Sequence, residues 1–194
     1  HIEESAKGSD FEDRFTGLFD DFDVNSNKLG GTVAKRNERL VKLLNGIASM
    51  KLGAVDSHDV DAIGDAYEYL MRNFATESGK SKGQFYTPAE VSRVMAQLIE
   101  IYNSDSQEDT VYDMTCGSGS LLLKAADLAP HGITIFGQEN DNATRGLAVM
   151  NMWLHNFATA DIRLGNTLSN PQFLKEDTGE LQPFDYAVAN PPFS

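Results

Sequence analysis

Cysteine is nearly missing from this chain. Cys116 stands alone, so neither an intramolecular disulfide nor a Cys-rich zinc site can form. Positive charge is short as well. Sixteen Lys and Arg face 29 Asp and Glu, a net charge of −13. That balance excludes a self-sufficient, sequence-blind DNA binder, which needs a basic footprint to displace counterions. No apolar run approaches the roughly 18–20 residues that cross a bilayer. The opening His1-Ile2-Glu3-Glu4 is not the basic start of a secretory signal. Repeats, low-complexity tracts and Pro-rich linkers are also lacking. The default that remains is a soluble, cytoplasmic protein of a reducing compartment, without membrane contact and without a metal site. The chain opens on His1 rather than Met and stops directly after a Pro-Pro motif. It therefore reads as a fragment, and the charge argument applies to the fragment only.

What is present suffices for a core. Of 194 residues, 41% are hydrophobic, enough for one globular domain, or one domain with a helical appendage. The front third has helical periodicity. Phe11, Phe15, Leu18, Phe19 and Phe22 recur at helical offsets across 10–22. Thr32 is placed to cap a helix through Met50, with Val33, Leu40, Val41, Leu44 and Ile47 on one face. Ser57 is placed to cap another to about Thr76, carrying Val60, Ile63, Tyr67, Leu70, Met71 and Phe74. These stripes are expected to pack into a core. Arg72, Lys80 and Lys82 form a small basic patch whose plain reading is a solvated surface.

From about residue 87 the pattern changes. Thr87-Pro88-Ala89-Glu90 has the form of a capping box with Pro at the first helical position, ahead of Val91, Val94, Met95, Leu98, Ile99 and Tyr102. Strands are expected at 110–114, 133–136, 161–164 and 186–189, and helices at 120–127 and 142–157. Such alternation predicts a parallel α/β sheet with helices on both faces. Ligands of these sheets sit beyond the carboxyl ends of the strands, where strand order reverses.

Three segments carry chemistry. The loop from Asp113 to Ser120 follows a strand and opens a helix, and Gly117 and Gly119 let its backbone turn tightly near a ligand. It lacks the third Gly of a dinucleotide fingerprint, since position 122 is Leu, and it lacks the Gly-Lys-Ser/Thr of a P-loop. Glu139 ends the next strand, where a carboxylate can accept both ribose hydroxyls and reject a 2′-phosphate. Asn190-Pro191-Pro192-Phe193 ends the last strand. Two prolines fix the backbone and remove two donors, leaving carbonyls as acceptors beside the Asn amide and a flat Phe ring. That set can stack a planar ring and accept both N–H bonds of its amino group.

Asn190 to Phe193 resembles the catalytic motif of S-adenosylmethionine-dependent amino-methyltransferases that act on exocyclic amines. Together with Gly83 to Pro88, Asp113 to Gly119, Gly137-Gln138-Glu139, Met150-Asn151 with Leu154-His155, and Gly165 to Leu168, the chain from about Leu18 to Ser194 resembles the modification subunit of type I restriction–modification systems. The resemblance implies a Rossmann-like methyltransferase sheet, incomplete at the C-terminus. It occupies 83–194 as the first part of a catalytic domain, behind a helical region over 1–82. It implies N6-adenine methylation of duplex DNA with the target adenine flipped out. Its partners would be a specificity subunit, a second modification subunit and, for cleavage, a restriction subunit.

The same resemblance assigns roles. Asn190, Pro191, Pro192 and Phe193 are the catalytic set. Gln84, Phe85, Tyr86, Thr87 and Pro88 close over the methionine end of S-adenosylmethionine. Thr115, Gly117 and Gly119, with Ser118 and Ser120 of the same loop, line that end. Asp113 holds the loop or the amino group, Glu139 the ribose, and Asn166 the cofactor's adenine. Many relatives of this fold carry Asp at the last place, so Asn166 keeps an acceptor and loses a charge. Cys116 is read as a small packed side chain, and His155 as a helix-end histidine rather than a base. Two rival readings stay open: an amino-methyltransferase acting on a protein glutamine, although such enzymes usually end the motif in Tyr, and a cofactor-binding or assembly fragment without activity of its own.

Overall fold

The computed structural model describes residues 2–9, 12–18, 20, 22–49, 66–71, 73 and 87–191. Four parallel strands form one sheet: β1 (Thr110–Asp113), β2 (Thr134–Glu139), β3 (Asp161–Leu164) and β4 (Tyr186–Val188), in the order β3-β2-β1-β4. The order reverses between β1 and β4, and Asp113 pairs with Val188 there. Each expected strand is present, 161–164 at its expected bounds and the other three within three residues of theirs.

Paired residues of a parallel sheet share a face. One face carries Val111, Ile135, Ile162 and Val188, all buried in the hydrophobic core. Right-handed crossovers in a single direction lay successive helices on that face. The helices are α5 (Ser120–Ala126) and α6 (Asn142–Leu154), with α4 (Ala89–Leu98) packed along α5. Leu121, Leu122 and Leu123 are all buried, because α5 is enclosed by the sheet and by its two neighbours. Gly137 belongs to this packing. A Cβ there would lie 2.8 Å from Ile162 Cδ1 and 3.1 Å from Cys116 Sγ and Leu122 Cδ1, so glycine is what lets the layers approach.

The opposite face departs from the expectation of helices on both sides. Among the described residues it is covered by an aromatic layer. Tyr112 stacks on Phe184 at 4.5 Å, and Phe173 meets Tyr112 and Phe136 edge-on at 5.4 Å. The Arg163 guanidinium lies 4.3 Å over the Phe173 ring. Phe173 and Phe184 both come from the β3–β4 connection, which folds back across the strands.

The front third departs further. After α1 (Ile2–Ala6), the helix expected over 10–22 is a single turn, α2 (Glu12–Phe15), because Gly17 adopts φ +72° and ends it. Phe15 and Leu18 still enter the core, Phe15 edge-on to Trp153 at 4.7 Å, but Phe22 is exposed. α3 (Val33–Ser49) begins as expected, with Thr32 Oγ1 accepting the Lys35 N–H. Its stripe does not pack: Val33, Val41, Leu44 and Ile47 are all exposed, and no α3 residue is buried. The helix is tethered to the preceding loop instead, through Arg36 to the Gly30 carbonyl and Arg39 to the Lys28 carbonyl. Of the helix expected over 57–76, residues 66–71 and 73 are described and helical, and Tyr67 donates to the Leu147 carbonyl at 3.0 Å. The rest of it, and the patch at 72, 80 and 82, lie outside the described residues.

Two helix ends also shift. α4 stops at Leu98, where Glu100 turns left-handed, rather than reaching Tyr102. Of the expected stripe, Met95 and Ile99 are half-buried against the core, while Val91, Val94, Leu98 and Tyr102 are exposed; the fully buried residues are the small Ser92 and Ala96. α6 ends at Leu154, short of 157, because Asn156 takes φ +65° and Phe157 N–H returns to the Met152 carbonyl. No helix among the described residues is long and apolar enough to cross a membrane.

Candidate active site

The carboxyl ends of all four strands point the same way, so the residues just past each one gather at one edge of the sheet. A cavity of about 390 Å³ lies there, within the range of roughly 300–1,000 Å³ typical of small-molecule sites. Met114 and Thr115 line it beyond β1, and Gln138, Glu139 and Asn140 at the end of β2. The β3–β4 connection adds Gly165, Asn166, Thr167 and Leu168, and Pro191 closes it beyond β4. Thr115, Glu139, Asn166 and Pro191 were expected here from the sequence.

Beneath the cavity the loop after β1 is tightly held. Asp113 is buried, and its Oδ1 accepts Thr115 N–H at 2.9 Å. Of the two roles expected of Asp113, this contact matches holding the loop. Burial is the main reason its carboxyl is pushed up to about 7. The hydrogen bonds from Thr115 oppose that rise, and the nearby Glu139 charge adds to it. Gly117 and Gly119 adopt φ +55° and +79°, conformations that a Cβ disfavours. A Cβ on Gly119 would also sit 2.6 Å from Met152 Cε. The Ser118 and Ser120 hydroxyls turn inward and bond each other at 3.0 Å, and Asn151 Nδ2 donates to the Ser118 carbonyl. Any ligand contact from the two serines is therefore left to their backbone. Cys116 is buried, and burial pushes its thiol up, in keeping with a packed side chain. His155 Nδ1 lies 2.9 Å from the Asn151 carbonyl at the end of α6.

Glu139 anchors as well as lines. Its Oε2 accepts Gly117 N–H at 3.0 Å and its Oε1 accepts Asp141 N–H at 2.9 Å. These bonds fix the orientation of the carboxylate and leave it further lone pairs. Across the cavity, Asn166 Oδ1 accepts the backbone N–H groups of Leu168 and Ser169. Its acceptor is thus spent on its own turn, which leaves Nδ2 as the group to offer a ligand.

Sequence reasoning missed Gln138. It is fully buried and uses every polar position. Nε2 donates to the Gly165 and Asn170 carbonyls, while Oε1 accepts Gln172 N–H at 3.0 Å and Tyr112 O–H at 3.4 Å. One side chain thereby fastens the connection that carries Asn166 to the end of β2. Only its place beside Glu139 could have signalled this role.

Past β4, Asn190 is half-buried and donates through Nδ2 to Thr87 Oγ1 at 3.3 Å. That contact corrects the expected capping box. α4 begins at Ala89 with Pro88 as its cap, and no side chain caps it. Gln84, Phe85, Tyr86, Pro192 and Phe193 lie outside the described residues.

A parallel sheet in this order, with a glycine turn after β1 and an acid ending β2, is an arrangement that the α/β fold of S-adenosylmethionine-dependent methyltransferases shares with dinucleotide-binding folds. A protein from Listeria monocytogenes assigned to the class I S-adenosylmethionine-dependent methyltransferases shares the fold, with a TM-score of 0.60 at 16% identity, over 89% of this chain and 50% of its own. The sequence matches the N-6 DNA Methylase family over residues 58–194, and the chain belongs to that family. It is 39% identical to the type I restriction enzyme MpnII methylase subunit of Mycoplasma pneumoniae, over 100% of this chain and 37% of that protein. It is 36% identical to the MjaVIII methylase subunit of Methanocaldococcus jannaschii, over 69% of this chain and 23% of that one. The crystal structure of a type I restriction-modification methyltransferase subunit from Streptococcus thermophilus superposes with a TM-score of 0.76 at 37% identity, over 100% of this chain and 39% of its own. The chain thus spans well under half the length of these three methylase and methyltransferase subunits.

Proposed function

We propose that this chain is the cofactor-binding part of a type I modification subunit, which methylates N6 of adenine in duplex DNA within an assembly of specificity, modification and restriction subunits. One observation supports the reading: Glu139, at the end of β2, and Pro191, past β4, line a single cavity from opposite sides of the topological switch point between β1 and β4.

S-adenosylmethionine supplies a methyl group already activated on a sulfonium. Adenine N6 is a poor nucleophile, because its lone pair is delocalised into the ring. Asn190 Oδ1 and the Pro191 carbonyl accept its two N–H bonds, which favours a pyramidal nitrogen and stabilises the positive charge that develops on it. With that cofactor bound, the methyl would pass from sulfur to N6, the S–C electron pair staying on sulfur. Asn is no base, so the surplus proton leaves to water. Holding the reacting atoms about 3–3.5 Å apart contributes several kcal/mol. Flipping the base costs a few kcal/mol, and stacking on Phe193, worth about 1–3 kcal/mol, offsets part of it. Glu139 holds the ribose, and Thr115 and the glycine turn hold the methionine end.

The test is transfer of labelled methyl from S-adenosylmethionine by the full-length subunit with its partners, followed by nucleoside analysis of the DNA. N6-methyldeoxyadenosine is expected, and Asn190→Ala is expected to abolish it while cofactor binding persists. Label appearing on a protein glutamine and not on DNA would overturn the reading.

A further inference from the structure

Thr87 and Asn190 are 103 residues apart in the chain, yet their side chains meet at 3.3 Å. We propose that Thr87 is a positioning residue for Asn190: its hydroxyl accepts one amide N–H and so turns the amide oxygen toward the target amine. The inference rests on the proposed role of Asn190 and adds a residue to it.

An Asn amide offers a donor at one end and an acceptor at the other, and the two are nearly the same shape. Only one orientation serves an incoming amino group. With Nδ2 facing that group, donor would oppose donor, and the lone pair of the nucleophile would gain nothing. The backbone at Asn190 is already restrained, by β4 before it and by Pro191 after it, since Pro limits the residue that precedes it. What remains free is the side-chain torsion, and a fixed acceptor for Nδ2 removes that freedom.

Thr87 is a fixed acceptor. α4 packs along α5, its Ser92 and Ala96 are fully buried, and the Ser92 hydroxyl donates to the Pro88 carbonyl at 3.2 Å. Thr87 therefore sits on a braced helix start. A Thr before Pro-Ala-Glu is well suited to cap its own helix, and a cap of that kind contributes about 1 kcal/mol. The hydroxyl makes no such bond here. Local rules tend to be broken where a functional site uses the residue for something else, and the group that takes this hydroxyl is the Asn190 amide. The sequence resemblance put Thr87 at the methionine end of the cofactor, which would make it a binding residue, so the two assignments predict different kinetics.

The experiment compares wild type, Thr87→Val, Thr87→Ser, Asn190→Ala and Thr87→Val/Asn190→Ala, each as full-length subunit in its assembly, by steady-state methyl transfer to duplex DNA. Thr87→Val is expected to lower kcat at least about fivefold, as loss of one neutral hydrogen bond would, with the cofactor KM within about twofold of wild type. Thr87→Ser recovers most of the rate. On Asn190→Ala, which removes turnover, adding Thr87→Val leaves cofactor binding unchanged. A raised cofactor KM at unchanged kcat would make Thr87 a cofactor contact, and a drop that serine fails to rescue would make it a structural residue. Either result overturns the proposal and leaves the methyltransferase reading standing. Full activity of Asn190→Ala would instead remove the premise about Asn190 itself.

Discussion

Replacing Glu139 by Gln tests the ribose assignment with little change of shape. Glu139 has two duties: its oxygens accept the N–H groups of Gly117 and Asp141, and its remaining lone pairs are assigned to the diol. Hydrogen bonds to a charged group contribute about 1.5–3 kcal/mol each. The amide keeps one acceptor and loses the charge. Binding of S-adenosylmethionine is therefore expected to weaken by roughly tenfold to a hundredfold, since each 1.4 kcal/mol is about a factor of ten. The amide must also point NH2 at one of the two backbone donors. Gly117 is buried, so an unmet donor there costs the free protein about 1–3 kcal/mol. Calorimetric titration of the full-length subunit, at a temperature where the variant remains folded, separates the two effects. Adenosine and 2′-deoxyadenosine sharpen the result: the wild type is expected to prefer adenosine, and the variant to bind both alike. Undiminished affinity for S-adenosylmethionine, or a preference for the ribose form that survives the substitution, would refute the reasoning.

Two further outcomes follow from the packing and the charge beneath the cavity. Asp113 titrates near 7 when folded, above the ordinary carboxylate value of 3.8. The stability it contributes is complete below the unfolded value and is lost as pH rises through about 7. Asp113→Asn should therefore gain on wild type by on the order of 3 kcal/mol between pH 5 and pH 8, read as the difference between their urea-unfolding free energies, and parallel pH profiles would show that the carboxyl is not the cause. Gly137→Ala is expected to cost about 1–3 kcal/mol by overpacking, and Ile162→Val, which removes the Cδ1 atom 2.8 Å from the new methyl, to offset part of that cost although it is destabilising alone by about 0.5–1.5 kcal/mol. Strict additivity of the pair in urea denaturation would place the strain elsewhere.

The strands and the turns between them were legible because their signals are local. Alternation of apolar runs with helical periods located all four strands, and the two glycines before Ser120 marked a turn that does use left-handed conformations. Amphipathicity was less informative. The α3 stripe has the right spacing to be buried, but spacing does not say whether a partner surface exists, and here Val33, Val41, Leu44 and Ile47 face outward. Gly17 broke a periodic run that read as one long helix. The largest gap concerns hydrogen bonds that skip along the chain. Gln138 reaches residues 27 to 34 positions away, and Thr87 abandons a local cap for Asn190. A polar side chain chooses between near and distant partners only once the backbone has brought both within reach.

Residues 12–18 are packed onto the sheet's helical layer. Arg145, buried in α6, donates to the Ile162 carbonyl of β3 and to the carbonyls of Asp13 and Arg14, while Asn142 donates to the carbonyl of Gly17. Trimming the chain back to the loop ahead of α3 would strip Phe15 and Leu18 out of the interior and take away the Asp13 and Arg14 carbonyls that neutralise part of a guanidinium's hydration debt. Whoever shortens this protein for crystallisation or labels its front end is handling the wall of the strand that leads directly into Asn166.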